Sequence, residues 1–148
     1  MSTTFHIAVQ TLLSGRFLKI GSVPSMTSQW AFSFTSVGGA NGSWNDASYN
    51  SMVIGFVNCY YNNNPAPYNT ITSYMSPVKF GTNANCRWKL HVASNGNLYV
   101  EKASTDEWMK LTLTIDSNYF TPVQFNGIIT ESSFGGNPGS LVHELNIT

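Results

Sequence analysis

Charged side chains are scarce in this chain of 148 residues, because Asp, Glu, Lys and Arg together make up only 9% of it. A typical soluble domain carries roughly 25%. Asn, Ser and Thr supply the polar surface instead, a composition that disfavours surface helices and favours strands joined by turns. The formal net charge is zero, which argues against nucleic acid as a partner and favours association into an oligomer.

Long apolar runs and metal-binding motifs are also missing. No run approaches the roughly 18–20 residues that span a membrane. Residues 1–13 lack the basic start and the clean cleavage site of a signal peptide, so we expect neither a secretion signal nor membrane insertion. Cys59 and Cys86 have neither CxxC nor Cys/His spacing, which disfavours a zinc site. We interpret them as buried thiols or as a pair across neighbouring strands.

Alternating apolar and polar side chains mark the strands. Small or polar residues separate Trp30, Phe32 and Phe34, which is the period of two of a half-buried strand with these rings inward. Residues 108–115 alternate in the same way, and the apolar run at 51–61 predicts a central strand. Further strand signals cover residues 17–23, 68–75, 78–80, 119–129 and 141–147, of which 119–129 holds one or two strands.

A hairpin is predicted between residues 86 and 103. The Asn-Gly pair at 95–96 supplies its turn, because both residue types tolerate positive φ. We expect a three-residue loop that pairs Val92 with Val100 and His91 with Glu101, so that apolar side chains face each other. A two-residue turn would move the pairing by one residue and set apolar side chains against polar ones. His91 is then an outward-facing surface histidine.

These signals predict an all-β fold, an antiparallel β-sandwich of jelly-roll type with about eight to ten strands. We see no internal repeat and no linker, so residues 1–148 are expected to form a single domain. Within it, residues 1–15 are interpreted as an extended N-terminal segment or as a connection to an upstream shaft.

Signatures of catalysis are lacking. His6, His91 and His143 are candidate bases, but none lies beside a nucleophile motif such as Gly-x-Ser-x-Gly. Glycoside hydrolysis needs two carboxylates at a defined separation, and the chain has only seven acidic residues from which to form such a pair. The loop around Asp46 holds too few carboxylates for calcium, and the paired glycines do not match a phosphate-binding pattern. We therefore expect no enzyme activity, no metal and no cofactor.

Two Asn-rich loops carry exposed aromatic candidates. Aromatic rings stack on the apolar faces of sugars, and amide groups both donate to and accept from hydroxyls. The same residue types serve adaptable protein-binding loops. The alternative is that these rings end core strands or fill the sandwich edge. The predicted ligand-binding residues are Trp44, Asn45, Asp46, Tyr49, Asn62, Asn63 and Tyr68.

Three stretches resemble the C-terminal receptor-binding domain of bacteriophage tail fibres. They are residues 17–21 (FLKIG), 30–34 (WAFSF) and the hairpin segment 95–100 (NGNLYV), and the resemblance extends over residues 16–147. It implies a jelly-roll-like, homotrimeric domain on a virion that binds a host-surface glycan or protein. It supplies no motif from which binding residues can be carried over, so the loop argument alone selects them.

The sequence thus leads to three hypotheses. The first is a non-enzymatic recognition domain, homotrimeric, that binds a cell-surface carbohydrate or receptor for host attachment. The second is a small β-sandwich glycan hydrolase or esterase. The third is a structural viral capsid or decoration domain without a ligand of its own.

Overall fold

The computed structural model describes residues 2–10, 14–23, 28–38, 50–60, 70–80, 88–93, 95–103, 109–116 and 120–147. Ten strands and one short turn of 3₁₀ helix, Glu131–Ser133, lie in these ranges. The strands are β1 Ser2–Val9, β2 Phe17–Ser22, β3 Ser28–Gly38, β4 Asn50–Tyr60, β5 Thr70–Phe80, β6 Trp88–Ala93, β7 Asn97–Lys102, β8 Met109–Asp116, β9 Thr121–Pro122 and β10 Leu141–Ile147.

The strands form two five-stranded sheets. The first sheet has the order β1-β8-β3-β4-β5, and the second has the order β10-β6-β7-β2-β9. Every pairing between these strands is antiparallel. The predicted all-β, antiparallel sandwich is therefore confirmed. No helix in the described ranges is long and apolar enough to cross a membrane.

One hydrophobic core lies between the two sheets. Strict alternation along β8 buries its four apolar side chains and turns Lys110 outward. Phe32 of β3 is 2% exposed and belongs to the same cluster as Trp88 of the second sheet. Because one cluster takes side chains from both sheets, their inner faces pack together. Its strand residues are Phe5, Ile7, Val9, Leu18, Ile20, Phe32, Trp88, Leu90, Val92, Leu98, Val100, Met109, Leu111, Leu113 and Ile115.

Residues 2–9, which the sequence analysis assigns to an extended segment or a connection, form strand β1 of the first sheet. Phe5 and Ile7 of β1 are buried in the core, and β1 pairs with β8 along its whole length. On the other side of β1, the Ile129 amide donates to the His6 carbonyl at 2.8 Å, and the Ala8 amide donates to the Ile129 carbonyl at 2.9 Å. The edge of this strand is thus partly covered, as sheet edges commonly are.

One prediction about individual strands was wrong. Residues 70–80 form the single strand β5 rather than two strands broken near Pro77. Pro77 pairs opposite Val53 only, because β5 is an edge strand, and a residue without an N–H is tolerated there. For the region 119–129 one or two strands are predicted, and its described residues, 120–129, contain one strand, the two-residue β9. The predicted central strand is confirmed, since β4 lies between β3 and β5.

The predicted register of the hairpin was wrong by two residues. Val92 lies opposite Leu98 rather than Val100. The Gly96 amide donates to the Ala93 carbonyl at 3.0 Å, with Gly96 at a φ of 86°, so the chain closes over the three residues 94–96. The predicted pairing is centred on Gly96, whereas the observed pairing is centred on Asn95. A shift of two keeps every side chain on its predicted face, which is why the predicted apolar face is the buried one.

Cys86 and the side chains of Trp30, Phe34 and Cys59 lie outside the described part of the chain. The alternatives for the two cysteines therefore stay predictions.

Candidate functional site

The predicted ligand-binding residues all lie outside the described ranges, within residues 39–49 and 61–69. The strands that flank them are described. Residues 39–49 follow β3 and precede β4, whereas residues 61–69 follow β4 and precede β5. The two stretches therefore leave the sheet at opposite ends of β4, an eleven-residue strand that spans roughly 34 Å. The assignments of Trp44 and Tyr68 stay predictions.

Among the described residues, polar groups converge on the outer face of the second sheet. They line a depression of about 450 Å³, called the outer groove below, a volume within the range of small-ligand sites. Strand alternation and register assemble it, because Lys89 lies opposite Glu101 and His91 lies opposite Glu144. The lining residues are Phe17, Lys89, His91, Glu101, Asn137, Leu141 and Glu144.

His91 and Glu101 form a hydrogen-bonded pair at the base of the outer groove. His91 Nε2 lies 2.9 Å from Glu101 Oε1, with side chains 5% and 14% exposed. The Phe17 ring covers the imidazole at a centroid distance of 5.3 Å. The predicted proximity of His91 to Glu101 is confirmed, but the prediction of a surface histidine was wrong. Burial of both groups fixes their positions, because leaving either without a partner in a buried setting is costly.

Lys89 and Glu144 form a second pair nearer the solvent. Lys89 Nζ lies 2.8 Å from Glu144 Oε1, with side chains 30% and 44% exposed. The hydrogen bond from Lys89 lowers the pKa of Glu144 below its ordinary value, although partial burial opposes this effect. Glu144 is therefore a carboxylate, and a hydrogen-bond acceptor only, at neutral pH.

The segment before β10 forms the lip of the outer groove. Gly135 exchanges two backbone hydrogen bonds with Phe17, at 2.9 and 2.7 Å. Phe134 is 5% exposed and packs near Trp88 at a centroid distance of 6.5 Å. Asn137 Oδ1 accepts from the Gly139 amide at 2.8 Å, so its amide nitrogen is the group that can donate to a ligand. These contacts hold Asn137 beside the charged pairs.

The outer groove combines fixed donors and acceptors with an apolar wall. Lys89 and the Asn137 amide donate, the two carboxylates accept, and Phe17 with Leu141 supply apolar surface. Its described lining holds no Ser, Thr or Cys that would act as a nucleophile. Each of its carboxylates already has a basic partner. Within the described residues, no group of three His, Cys, Asp or Glu side chains assembles as a metal-ligand set.

Sequence reasoning did not find this site. The proximity of His91 to Glu101 was predicted, but His91 was interpreted as an ordinary surface residue. Lys89 and His91 alternate with the buried residues of β6 and lie on its outward face, and that alternation was the available signal. The contribution of Asn137 had no signal, because it depends on how residues 134–140 fold against β2.

No protein-family model matches this chain, and no protein of curated function matches it. Solved structures do resemble it. A tailspike protein of an Acinetobacter phage matches 81% of this chain and 22% of its own length, at a TM-score of 0.46 and 7% identity. A tailspike protein from Acinetobacter baumannii bacteriophage Fri1, a capsular polysaccharide depolymerase, matches 82% of this chain and 19% of its own length, at a TM-score of 0.40 and 15% identity.

A third similar structure is a glycan biofilm modifying enzyme of Pantoea stewartii with a bacteriophage tailspike-like parallel β-helix fold. It matches 90% of this chain and 22% of its own length, at a TM-score of 0.44 and 7% identity. The chain thus spans between 19% and 22% of the length of these three structures. The similar structures are phage tailspikes and a tailspike-like enzyme, at TM-scores below 0.5, so no activity or partner is assigned to this chain from them.

Proposed function

We propose that this chain is a non-enzymatic recognition domain that binds a host cell-surface carbohydrate in the outer groove. The observation that carries the proposal is the set of fixed polar groups beside Phe17. Sugar hydroxyls need donors and acceptors at defined positions, and preorganised groups bind with less loss of conformational freedom. The two pairs hold Lys89, Glu101 and Glu144 in such positions.

The state of the carboxylates favours binding over hydrolysis. A glycosidase needs one protonated carboxyl as a general acid, which requires a raised pKa. The pKa of Glu144 is instead lowered by Lys89. Glu101 is already hydrogen-bonded to His91, so this carboxyl group has a partner within the protein.

The resemblance of residues 17–21, 30–34 and 95–100 to tail fibre receptor-binding domains supports a host-attachment role on a virion. In that setting the domain acts as a homotrimer. A formal net charge of zero is compatible with close association of copies.

Asn137→Ala tests the proposal. The experiment probes an array of bacterial capsular and lipopolysaccharide oligosaccharides with the wild-type chain and with this variant. We expect binding to a restricted set of glycans, at least roughly tenfold weaker for Asn137→Ala, which corresponds to about 1.4 kcal/mol or one lost hydrogen bond. The melting temperature should not change by more than about 2 °C, a shift of well under 1 kcal/mol.

Asn126→Ala is the matched control, because Asn126 is exposed and does not line the outer groove. Two results would contradict the proposal. One is shortening of a bound oligosaccharide, detected by mass spectrometry, which would indicate a hydrolase. The other is the absence of binding to every glycan on the array, which would favour a structural viral protein.

Trp44→Ala tests the separate prediction for the aromatic loops. If residues 39–49 contribute a stacking ring, this variant should lose glycan binding while its melting temperature stays nearly unchanged. A large fall in melting temperature would instead identify Trp44 as a core residue. Binding equal to that of the wild type would remove Trp44 from the site.

A further inference from the structure

A second cavity, of about 660 Å³, lies where β1, β8 and the 3₁₀ turn meet. Its floor is formed by the apolar residues Ala8, Val9 and Met109, of which Ala8 is half-buried. Its rim is polar and includes the hydroxyls of Thr130 and Ser132, which are 3.1 Å apart. Glu131 is held at this rim by the Gln10 amide, which donates to Glu131 Oε1 at 3.3 Å.

This combination fits a sugar ring. A pyranose has an apolar C–H face and a rim of hydroxyl groups, so it matches an apolar floor surrounded by hydroxyl and charged groups. Lys110 adds an exposed ammonium at the same rim. Like the outer groove, the cavity is lined by lysine and glutamate side chains, although it belongs to the other sheet.

One stretch of chain, residues 130–137, joins the two sites and is called the connecting segment below. Its first three residues line the cavity, and its last residue lines the outer groove. Asn137 is the fifth residue after Ser132, so the two sites are at most about 18 Å apart along this stretch. Phe134 is buried, and Gly135 is hydrogen-bonded to Phe17. These contacts fix the distance between the two sites.

The connecting segment is open to a ligand between its ends. Ser132, Ser133, Gly135, Gly136 and Asn137 are exposed. A Cβ atom at Gly135 or Gly136 would have no heavy atom within 4 Å. The surface between the sites is therefore made of small residues with no side chain above them.

We infer that the cavity is a second sugar-binding subsite and that one extended oligosaccharide binds across both sites along the connecting segment. This inference rests on the proposed function and specifies its ligand as an internal stretch of polysaccharide rather than a terminal sugar. Once one end of such a chain is bound, the other end is at high effective concentration, which increases affinity without any new type of contact.

Gly136→Phe tests the inference, because it adds a ring to the connecting segment between Ser132 and Asn137. The probes are oligosaccharides of two to eight units, prepared by partial hydrolysis of purified capsular polysaccharides and lipopolysaccharide O-chains and titrated by calorimetry against the full chain. For the wild type, the longest probes should bind at least roughly tenfold more tightly than the shortest. Gly136→Phe should remove this gain and leave the affinity for the shortest probes unchanged.

Asn126→Phe is the matched control, since it adds the same ring at an exposed position outside both sites, and it should retain the gain. Thr130→Val should weaken only the long probes, whereas Asn137→Ala should weaken probes of every length. Equal affinity at all lengths, or a gain that survives Gly136→Phe, would overturn the second subsite and leave the proposed function intact. Failure of every probe to bind would overturn both.

Discussion

Gly21→Ala is expected to destabilise the domain by roughly 3 kcal/mol, at the upper end of the range for overpacked cores. A Cβ atom at position 21 would lie 2.4 Å from Phe120 Cε2 and 2.5 Å from the Thr121 carbonyl oxygen. The Phe120 ring has little room to move, because it is 5% exposed and packs edge-on against Phe5 at 6.2 Å. Backbone atoms of β9 would have to shift as well.

The measurement is urea unfolding of the wild type and Gly21→Ala, with Gly136→Ala as the matched control. A Cβ at Gly136 has no heavy atom within 4 Å and its φ is not positive. The control should therefore change the free energy of unfolding by no more than about 0.5 kcal/mol. If both variants had the same stability, β9 would not pack against β2 as described.

Glu101→Ala is expected to lower the free energy of unfolding by about 1–3 kcal/mol, because it leaves the imidazole of His91 buried without its carboxylate partner. The Lys89–Glu144 pair on the same face of the sheet serves as a more exposed comparison. The Lys89–Glu144 pair is 30% and 44% exposed, so Glu144→Ala should cost about 0–1 kcal/mol.

A double-mutant cycle separates these pairwise terms from the effect of each truncation. We expect a larger coupling free energy between His91 and Glu101 than between Lys89 and Glu144. Equal coupling for the two pairs would mean that His91 is solvated in solution. The base of the outer groove would then not be rigid, and the preorganisation on which the proposed function depends would be lost.

The sequence predicted those parts of the fold that depend on local alternation. The four inward side chains of β8 follow from a period of two, and so does the buried face of the hairpin. The β5 prediction failed because the effect of Pro77 depends on whether its strand is at an edge, which is a property of the whole sheet. The hairpin register failed because apolar pairing tolerates a shift of two residues, and the turn geometry at Gly96 decides between the alternatives.

The outer groove could be predicted only in part. Neighbouring strands of a hairpin are close in sequence, so the proximity of His91 and Glu101 could be predicted. Glu144 joins them because β10 pairs with β6, and Phe17 covers His91 because β2 lies beside β7. Such pairings between distant stretches leave no local periodicity. Burial of a histidine on an outward face likewise depends on side chains from another strand.

The most direct test of the account is an NMR titration of the isotope-labelled chain with an oligosaccharide that binds on the array. The account predicts that the largest amide shift changes occur at residues of the outer groove, including His91, Glu101 and Asn137. It also predicts that the oligosaccharide keeps its length throughout. Shift changes confined to residues outside the outer groove, or shortening of the oligosaccharide, would contradict the claim that this groove is a carbohydrate-recognition site.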